Sequence, residues 1–383
     1  MKKFLFELGV MNQLSLAELE SLFGSTVKSL NQHAAIVELP DETQVTDIMQ
    51  RLGGTIKIAE LITELDQNSN HQQINQTIVD YFLSLNQAKI HFALGEIGRD
   101  HLERIDLIEL KNQLVKAGLK VRYNDGSRKG AKAALLLNCK KLIELILVQN
   151  KKALYLGKTV AIQDIDDWTL RDRAKPYADH KKGMLPPKLA RMMVNLAVGQ
   201  EESSSIKIYD PFCGTGTVLM EAAFYDLDLY GSDLDVKAVI GTKENIKWLA
   251  DTYMMEIKHQ IFTQDATRVK LGELGKKMDH IVTEPFLGKQ TPKSQELVNI
   301  FKGLEKLYLG SFKNWRSLLN DGAKVVIVWP QVEADNHQLF TVNNLLDKLQ
   351  ALGYTKKSRD LIYARPNAIV KREVCVFEYH KIN

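Results

Sequence analysis

The sequence predicts an α/β protein in which a doubly wound parallel sheet follows a separate α+β region. From residue 206 onward, strand-like apolar runs alternate with helical segments, the pattern of a parallel sheet covered by helices. Before residue 163 the strands and helices follow a mixed order instead. At 383 residues the chain is long enough for at least two domains.

The composition is that of a water-soluble globular protein, with 45% hydrophobic and 26% charged residues. No run reaches the roughly 18 apolar residues of a membrane span. Glu7 interrupts the apolar N-terminal run, so we expect a cytoplasmic protein without a secretory signal. Cys139, Cys213 and Cys375 are scattered, which predicts neither a metal site nor a disulfide framework.

The first 65 residues predict the order strand, helix, strand, helix. The strands are "FLFELG" and "AAIVELP", and the helices are "SLAELESLFG" and "DETQVTDIMQRLGG". Ser15 followed by Glu18 is the spacing of a capping box at a helix start. The polar residues 66–76 are expected to form an excursion or a linker.

Residues 90–162 predict a second α+β unit with a helix at about 105–117. The loop "NDGSRKGAKAA" carries glycine and basic side chains without a large apolar residue, which favours contact with phosphate. Residues 101–200 hold 20 Lys and Arg against 10 Asp and Glu. That excess suits a nucleic-acid partner or a solvated surface, and charge alone does not decide between them. The predicted strands are 90–97, 119–124, 134–138, 143–149 and 153–162.

Pro186 and Pro187 favour a helix start in the segment that connects the two halves. Beyond it, five strands belong to the parallel sheet, and the final run, "REVCVFEY", is expected to return antiparallel. The five predicted parallel strands are 206–210, 227–233, 259–265, 280–285 and 323–330.

Four of these strands end in an acid, at Asp210, Asp233, Asp265 and Glu284. Ligands of open α/β sheets lie outside the carboxyl ends of the strands, so the four carboxylates should share one crevice. Each acid taken singly could instead cap the turn or helix that follows its strand.

The most specific motif is "DPFCGTG", residues 210–216. Gly214 and Gly216 let the backbone approach a ligand. A dinucleotide site would have a third glycine where Leu219 stands. The carboxylate of Asp210 would repel a pyrophosphate but suits the ammonium group of S-adenosylmethionine.

The motif resembles that of class I methyltransferases that modify exocyclic amino groups, in particular the tRNA guanosine-N2 methyltransferases that carry a THUMP domain. The resemblance implies a Rossmann-like, seven-stranded domain and places Asp233 on the ribose hydroxyls and Asp265 beside the adenine amino group. It implies these cofactor-binding residues: Asp210, Pro211, Phe212, Cys213, Gly214, Thr215, Gly216, Asp233, Leu234, Asp265 and Ala266.

The stretch "VTEPFLG" resembles the family motif of Asp or Asn, two prolines and an aromatic residue. Glu284 and Pro285 fall on the acid and the first proline, whereas Phe286 and Leu287 replace Pro and Tyr. A carboxylate here would accept an N–H of the guanine N2 amine and take its proton as the methyl group is transferred. Pro285 would stiffen the chain, and Phe286 could stack on an extruded base.

The N-terminal half resembles the same family, with a ferredoxin-like segment at 1–75 and a THUMP-like RNA-binding domain at 76–165. A connector and entry helix at 166–198 and the methyltransferase domain at 199–383 would follow. THUMP domains of this family bind tRNA, which suits the basic middle of the chain. The expected RNA-binding residues are Arg128, Lys129, Lys132, Lys151, Lys152, Arg171 and Arg173, with Lys181 and Lys182 as further basic residues of the connector.

The leading hypothesis is a methyltransferase that uses S-adenosylmethionine to modify guanosine N2 in tRNA, with position 10 as the family precedent. Two alternatives stay open: a DNA amino-methyltransferase, which would share the acid-Pro motif, and a catalytically inactive THUMP protein that only binds RNA. The resemblance also raises a small activating protein subunit as a partner.

Overall fold

The computed structural model forms two compact units, residues 1–167 and 168–383. Among the described residues no helix is both long and apolar enough to cross a bilayer. The described residues are 1–99, 102–179, 184–201, 205–365 and 368–382.

The N-terminal unit is built on a mixed sheet, for which the described residues provide eight strands. These are β1 (Lys2–Leu8), β2 (Val27–Asn31), β3 (Ala34–Leu39), β4 (Thr55–Asp66), β5 (Lys89–Ile97), β6 (Lys120–Asn124), β7 (Leu142–Gln149) and β8 (Ala153–Ile162). Their spatial order is β2-β3-β1-β4-β8-β7-β5-β6. Strand β5 runs parallel to both β6 and β7, and the other neighbours pair antiparallel.

The α-helices in the described part of this unit pack apolar faces onto the sheet or connect its strands. Ile74, Ile78 and Phe82 of one helix share a core with Leu110 and Leu114 of the next. Burial of such an apolar face is what stabilises helices of this length. The helices are α1 (Asn12–Phe23), α2 (Val45–Arg51), α3 (His71–Ser84), α4 (Leu107–Lys116) and α5 (Ala133–Asn138).

The predicted capping box at Ser15 and Glu18 is wrong. Helix α1 begins three residues earlier, and the Ser15 hydroxyl donates to the carbonyl of Met11 over 3.1 Å. The Glu18 carboxylate is buried and accepts the backbone N–H groups of Gly53 and Gly54 over 2.8 and 2.9 Å. The acid therefore holds a turn that is distant in sequence, which local spacing could not reveal.

Two other local predictions are also wrong. Residues 134–138 lie in helix α5, because a short apolar run does not by itself distinguish a strand from a helix. The polar linker expected at 66–76 contains the start of α3, where Asn70 and Gln73 form a true capping box. The long strand β4 had no counterpart in the prediction.

The C-terminal unit contains the predicted parallel sheet. Its strands are β9 (Lys207–Asp210), β10 (Asp228–Asp233), β11 (His259–Thr263), β12 (Met278–Thr283), β13 (Leu319–Glu333), β14 (Leu339–Phe340), β15 (Tyr354–Lys356), β16 (Ile362–Tyr363) and β17 (Val370–Tyr379). The main order is β11-β10-β9-β12-β13-β17-β15, with β14 on β13 and β16 on β17. The first five strands of that order are parallel and β17 is antiparallel, which confirms both predictions.

The helices that cover this sheet bury large aromatic side chains. Phe312 and Trp315 of the longest helix are fully buried, as are Trp329 and Phe377 from the sheet. Pro187 opens the helix that follows the connector, as predicted. Helix α6 (Ile165–Arg173) spans the boundary between the two units, and the helices after it are α7 (Pro187–Val198), α8 (Thr217–Ala222), α9 (Val236–Tyr253), α10 (Leu271–Leu274), α11 (Leu297–Trp315) and α12 (Leu346–Gln350).

Candidate active site

The carboxyl ends of β9, β10 and β12 meet at one edge of the parallel sheet. Strand β9 lies between the other two, with Asp210 opposite Gly231 of β10 and Tyr209 opposite Ile281 of β12. The side chains that follow these strand ends are therefore brought together, although almost 75 residues separate them in sequence.

The loop from β9 to α8 contains two glycines with different surroundings. Both have positive φ, 51° at Gly214 and 79° at Gly216, a region that side chains disfavour. A Cβ on Gly216 would lie 2.7 Å from the Thr242 side chain, so this glycine is needed for packing. A Cβ on Gly214 would meet only the Phe212 carbonyl, at 3.8 Å. No other side chain among the described residues therefore fills the position beside Gly214.

Asp233 connects the end of β10 to this loop. One carboxylate oxygen accepts the N–H of Gly214 and the other accepts the N–H of Asp235, each over 2.9 Å. A carboxylate offers about four acceptor positions, so both oxygens can accept further donors. Asp235, two residues further along the chain, caps α9 by accepting the N–H of Lys237 over 2.9 Å.

Asp210 is buried at the centre of the edge. Its Oδ1 accepts the Thr283 hydroxyl over 2.6 Å and the Phe212 N–H over 3.1 Å. Within the described residues no Lys or Arg forms an ion pair with it. Burial, together with the negative charges of Asp233 and Glu284, raises the pKa of Asp210 to about 7. Three of the four predicted acids thus interact electrostatically at one place.

Asp265 behaves differently, because its side chain stabilises its own turn. Its Oδ1 accepts both the N–H and the hydroxyl of Thr267 over 2.8 Å, and the exposed Arg268 lies 3.8 Å from its Oδ2. This local turn is the alternative that the sequence left open for strand-end acids. A carboxylate held in this way can still accept a hydrogen bond from a ligand at the sheet edge.

Glu284 follows β12 and forms an ion pair with Arg372 of β17. The Arg372 Nε donates to Oε1 over 2.6 Å. Pro285 is buried, whereas the Phe286 side chain is 63% exposed. The Phe286 carbonyl accepts the hydroxyl of the buried Tyr308 over 2.8 Å, so its backbone is held while its ring faces solvent.

The other predicted cofactor-binding residues differ in their exposure and in their contacts. Cys213 and Ala266 are 4% exposed and form part of the interior, whereas Leu234 is 74% exposed. The carbonyl of Thr215 accepts the Asn245 side chain over 2.8 Å, which ties the loop to α9. Pro211 is buried at the start of the loop, beside the half-buried Phe212.

Sequence reasoning missed two partners of the acids, Thr283 and Arg372. Thr283 directly precedes Glu284 at the end of β12. Its side chain is buried, and its hydroxyl donates to Asp210. Arg372 lies 88 residues beyond Glu284, and only the antiparallel pairing of β17 with β13 brings it near.

Two of the predicted RNA-binding arginines have protein partners. Arg171 is 3% exposed, and its Nε donates to Glu221 over 2.8 Å. Phosphate cannot reach a guanidinium buried in this way, so the assignment of Arg171 to RNA binding is wrong. Arg128 is half-buried and donates to the Leu102 carbonyl over 2.7 Å.

The other predicted RNA-binding residues within the described part of the chain are exposed. Lys151 and Lys152 lie in the turn between β7 and β8, where the Asn150 side chain accepts the N–H of Lys152 over 2.8 Å. Lys129, Lys132 and Arg173 of the predicted set are exposed as well. Lys181 and Lys182 of the connector lie outside the described residues.

Comparisons with known proteins agree with this architecture. The family UPF0020, an RMKL-like methyltransferase domain, matches residues 177–328. TrmN from Thermus thermophilus has a TM-score of 0.53 at 16% identity, over 98% of this chain and 99% of its own. SMU.472, complexed with SAH, has a TM-score of 0.52 at 12% identity, over 100% of both chains. At these identities the structural likeness establishes the fold.

Curated relatives share higher identity over shorter segments. A tRNA (guanine(10)-N2)-dimethyltransferase of Methanothermobacter thermautotrophicus is 34% identical over 148 residues, 39% of this chain and 39% of the relative. One from Methanocaldococcus jannaschii is 31% identical over 169 residues, 43% of this chain and 46% of the relative. The chain thus covers less than half the length of either protein.

A further relative, from Methanothermococcus thermolithotrophicus, is matched over most of its length. It is called "Probable tRNA (guanine(10)-N2)-dimethyltransferase" and is 35% identical over 119 residues, 30% of this chain and 70% of the relative. The shared fold, the glycine loop with its acids and this similarity agree, and the chain belongs to the methyltransferase family that includes these tRNA (guanine(10)-N2)-dimethyltransferases.

Proposed function

We propose that this protein uses S-adenosylmethionine to methylate the N2 amine of a guanosine in tRNA, with position 10 as the first nucleotide to test. The names of the curated relatives support the substrate. The observation that carries the proposal is the buried Asp210, which has no cationic partner among the described residues and lies near two further acids. A buried negative charge without a partner is costly, so the site favours a positively charged ligand.

The residues around the loop fit S-adenosylmethionine. The position beside Gly214, which no other described side chain fills, would admit the methionine part of the cofactor. Asp210 would face its ammonium group, and the Asp233 oxygens would accept the ribose hydroxyls. Asp265, with Ala266, would lie on the adenine side. When bound, the cofactor supplies a methyl group on a sulfonium, whose bond to sulfur breaks with the electron pair left on sulfur.

Glu284 would act on the acceptor amine. The N2 lone pair of guanine is delocalised into the ring, so the amine is a weak nucleophile. A carboxylate that accepts an N–H localises the lone pair and receives the proton as the new N–C bond forms. The buried Pro285 fixes the backbone beside it, and the exposed ring of Phe286 is available to stack on an extruded base.

The N-terminal unit would hold the tRNA. We assign RNA binding to the THUMP-like region at 76–165 and to its exposed lysines, where phosphate contacts would supply affinity that falls with salt. The ferredoxin-like segment at 1–75 and the connector at 166–198 would complete a cytoplasmic enzyme. A small activating protein subunit is a further partner to test.

The test is incubation of unmodified tRNA transcripts with labelled S-adenosylmethionine, followed by nucleoside analysis. We expect N2-methylguanosine, and we expect Glu284→Gln to lower the rate by about 10²–10⁴-fold, the usual contribution of a positioned proton acceptor. Glu305→Gln, on the surface of α11, is the control and should keep full activity.

Two results would contradict the proposal. Methylated adenine or cytosine formed on DNA, with no product on tRNA, would make the protein a DNA amino-methyltransferase. Cofactor binding without transfer to any RNA would indicate an inactive RNA-binding protein, and the replacement of the usual Pro-Tyr by Phe286 and Leu287 is the feature that keeps this alternative worth testing.

A further inference from the structure

The ion pair between Glu284 and Arg372 occupies only one side of the carboxylate. The Arg372 Nε donates to Oε1 over 2.6 Å, and the two side chains are 16% and 18% exposed. No hydrogen bond from the described residues reaches Oε2. One oxygen is therefore held by the protein while the other remains available to an incoming donor.

The position of Arg372 is set by the sheet. It lies on β17, opposite Pro330 of β13 and Tyr363 of β16. A strand paired on both sides has little freedom, so the guanidinium is presented to Glu284 from a rigid element. A carboxylate held by such a donor has a fixed orientation, which is what an acceptor for a substrate amine requires.

The surroundings of Glu284 otherwise disfavour its charged form. Burial raises its pKa, while Arg372 and, more weakly, Arg365 lower it. From the other elements, Asp210 of β9 adds negative charge nearby, and the buried hydroxyl of Tyr308 on α11 also interacts with Glu284. Arg372 is thus the main cation that opposes protonation of this carboxylate.

We infer that Arg372 is a positioning residue that keeps Glu284 ionised and turns its Oε2 toward the acceptor amine. This rests on the proposed function. In the reaction the N2–H bond breaks as the N–C bond forms, and the proton passes to Oε2. A protonated Glu284 could not accept it, so Arg372 sets the pH below which transfer fails.

The experiment compares the pH dependence of kcat for methyl transfer to tRNA in the wild type, Arg372→Gln and Arg372→Lys. In Arg372→Gln the acidic limb of the kcat profile, where the rate falls as Glu284 is protonated, should move to higher pH by about one unit or more. At pH values below this limb the variant should be slower than the wild type by about tenfold or more. The lysine variant retains the charge and should restore most of the difference.

Lys356→Gln provides a matched control. Lys356 is also 18% exposed and pairs with Glu373, the next residue of β17, over 2.5 Å. Its loss should disturb the same strand without moving the acidic limb. An equal shift in this control would overturn the inference, because it would show that strand stability sets the limb.

A second measurement does not depend on turnover. The Glu284 side-chain carboxyl is titrated by ¹³C NMR in the full-length wild type and in Arg372→Gln, without tRNA. We expect a higher midpoint in the variant, and identical midpoints would overturn the inference. If the wild type methylates no tRNA while the midpoint shifts, the proposed function fails and the Arg372 effect on Glu284 ionisation stands. If tRNA is methylated and neither quantity shifts, the proposed function stands and the inference fails.

Discussion

Each unit of the protein holds a buried carboxylate beside a glycine-bearing loop, and the two charges are balanced differently. In the N-terminal unit Glu144 accepts the Lys57 ammonium over 2.7 Å, together with the Ala131 N–H and the Thr159 hydroxyl. In the C-terminal unit Asp210 accepts only a neutral hydroxyl and a backbone N–H from the described residues. Both carboxylates are at most 2% exposed.

The difference fits the proposed function, in which Asp210 faces a positively charged ligand, whereas the charge of Glu144 is structural. Glu144 is neutralised inside the protein and holds the loop at 127–131 to the sheet. Among the described residues, the charged groups that act on Asp210 are the acids Asp233 and Glu284, so in the proposed function a cationic ligand would supply the countercharge. The two glycines show the same contrast: a Cβ on Gly130 would overlap the Glu144 carboxylate, whereas a Cβ on Gly214 would contact only the Phe212 carbonyl, at 3.8 Å.

The largest effect on stability is expected from Lys57→Met. Removing this cation leaves Glu144 buried without a countercharge and Glu7 without the ammonium 4.0 Å away, which should lower the free energy of unfolding by about 3–5 kcal/mol. Chemical denaturation measures it, and faster hydrogen exchange at 127–131 would locate the change. Lys2→Met, which removes an exposed pair with Glu60, is the control and should have no measurable effect. Equal effects of the two substitutions would show that the buried pair does not hold the loop.

The unbalanced charge of Asp210 predicts a dependence of stability on pH. The folded state holds the proton up to about pH 7, while an unfolded aspartate releases it near its ordinary value of 3.8. The unfolded state thus binds fewer protons between these values, so stability should fall as pH rises from about 4 to 7, by at most about 4 kcal/mol. Asp210→Asn cannot ionise and should lack this loss. Parallel curves for wild type and variant in urea unfolding would contradict the assignment.

The smallest effects are expected from the two glycines, which contrast the loops directly. Gly130→Ala should cost about 2–3 kcal/mol of stability, because φ is +89° and the new methyl group meets Glu144. It should leave the affinity for S-adenosylmethionine unchanged. Gly214→Ala should cost about 1 kcal/mol through its left-handed backbone alone and should weaken cofactor binding in calorimetry. The reverse pattern would remove the distinction between the loops.

The prediction succeeded where the signal was periodic and repeated. The five parallel strands, the antiparallel return of β17 and the helix opened by Pro187 followed from alternation and from the stereochemistry of proline. It failed where a polar side chain has a partner distant in sequence. Glu18 matched a capping box yet binds a distant turn, and Arg171 appeared to be a surface cation yet is buried against Glu221.

The sequence by itself determined the class of the fold and the spacing of the acids, because strand ends and glycine turns are local properties of the chain. Only the tertiary structure decided which acids interact. It joined Asp210 and Glu284 at one sheet edge, left Asp265 to its own turn and brought Arg372 across from β17. The ionisation of a buried group depends on charges and burial in three dimensions, and sequence spacing does not contain that information.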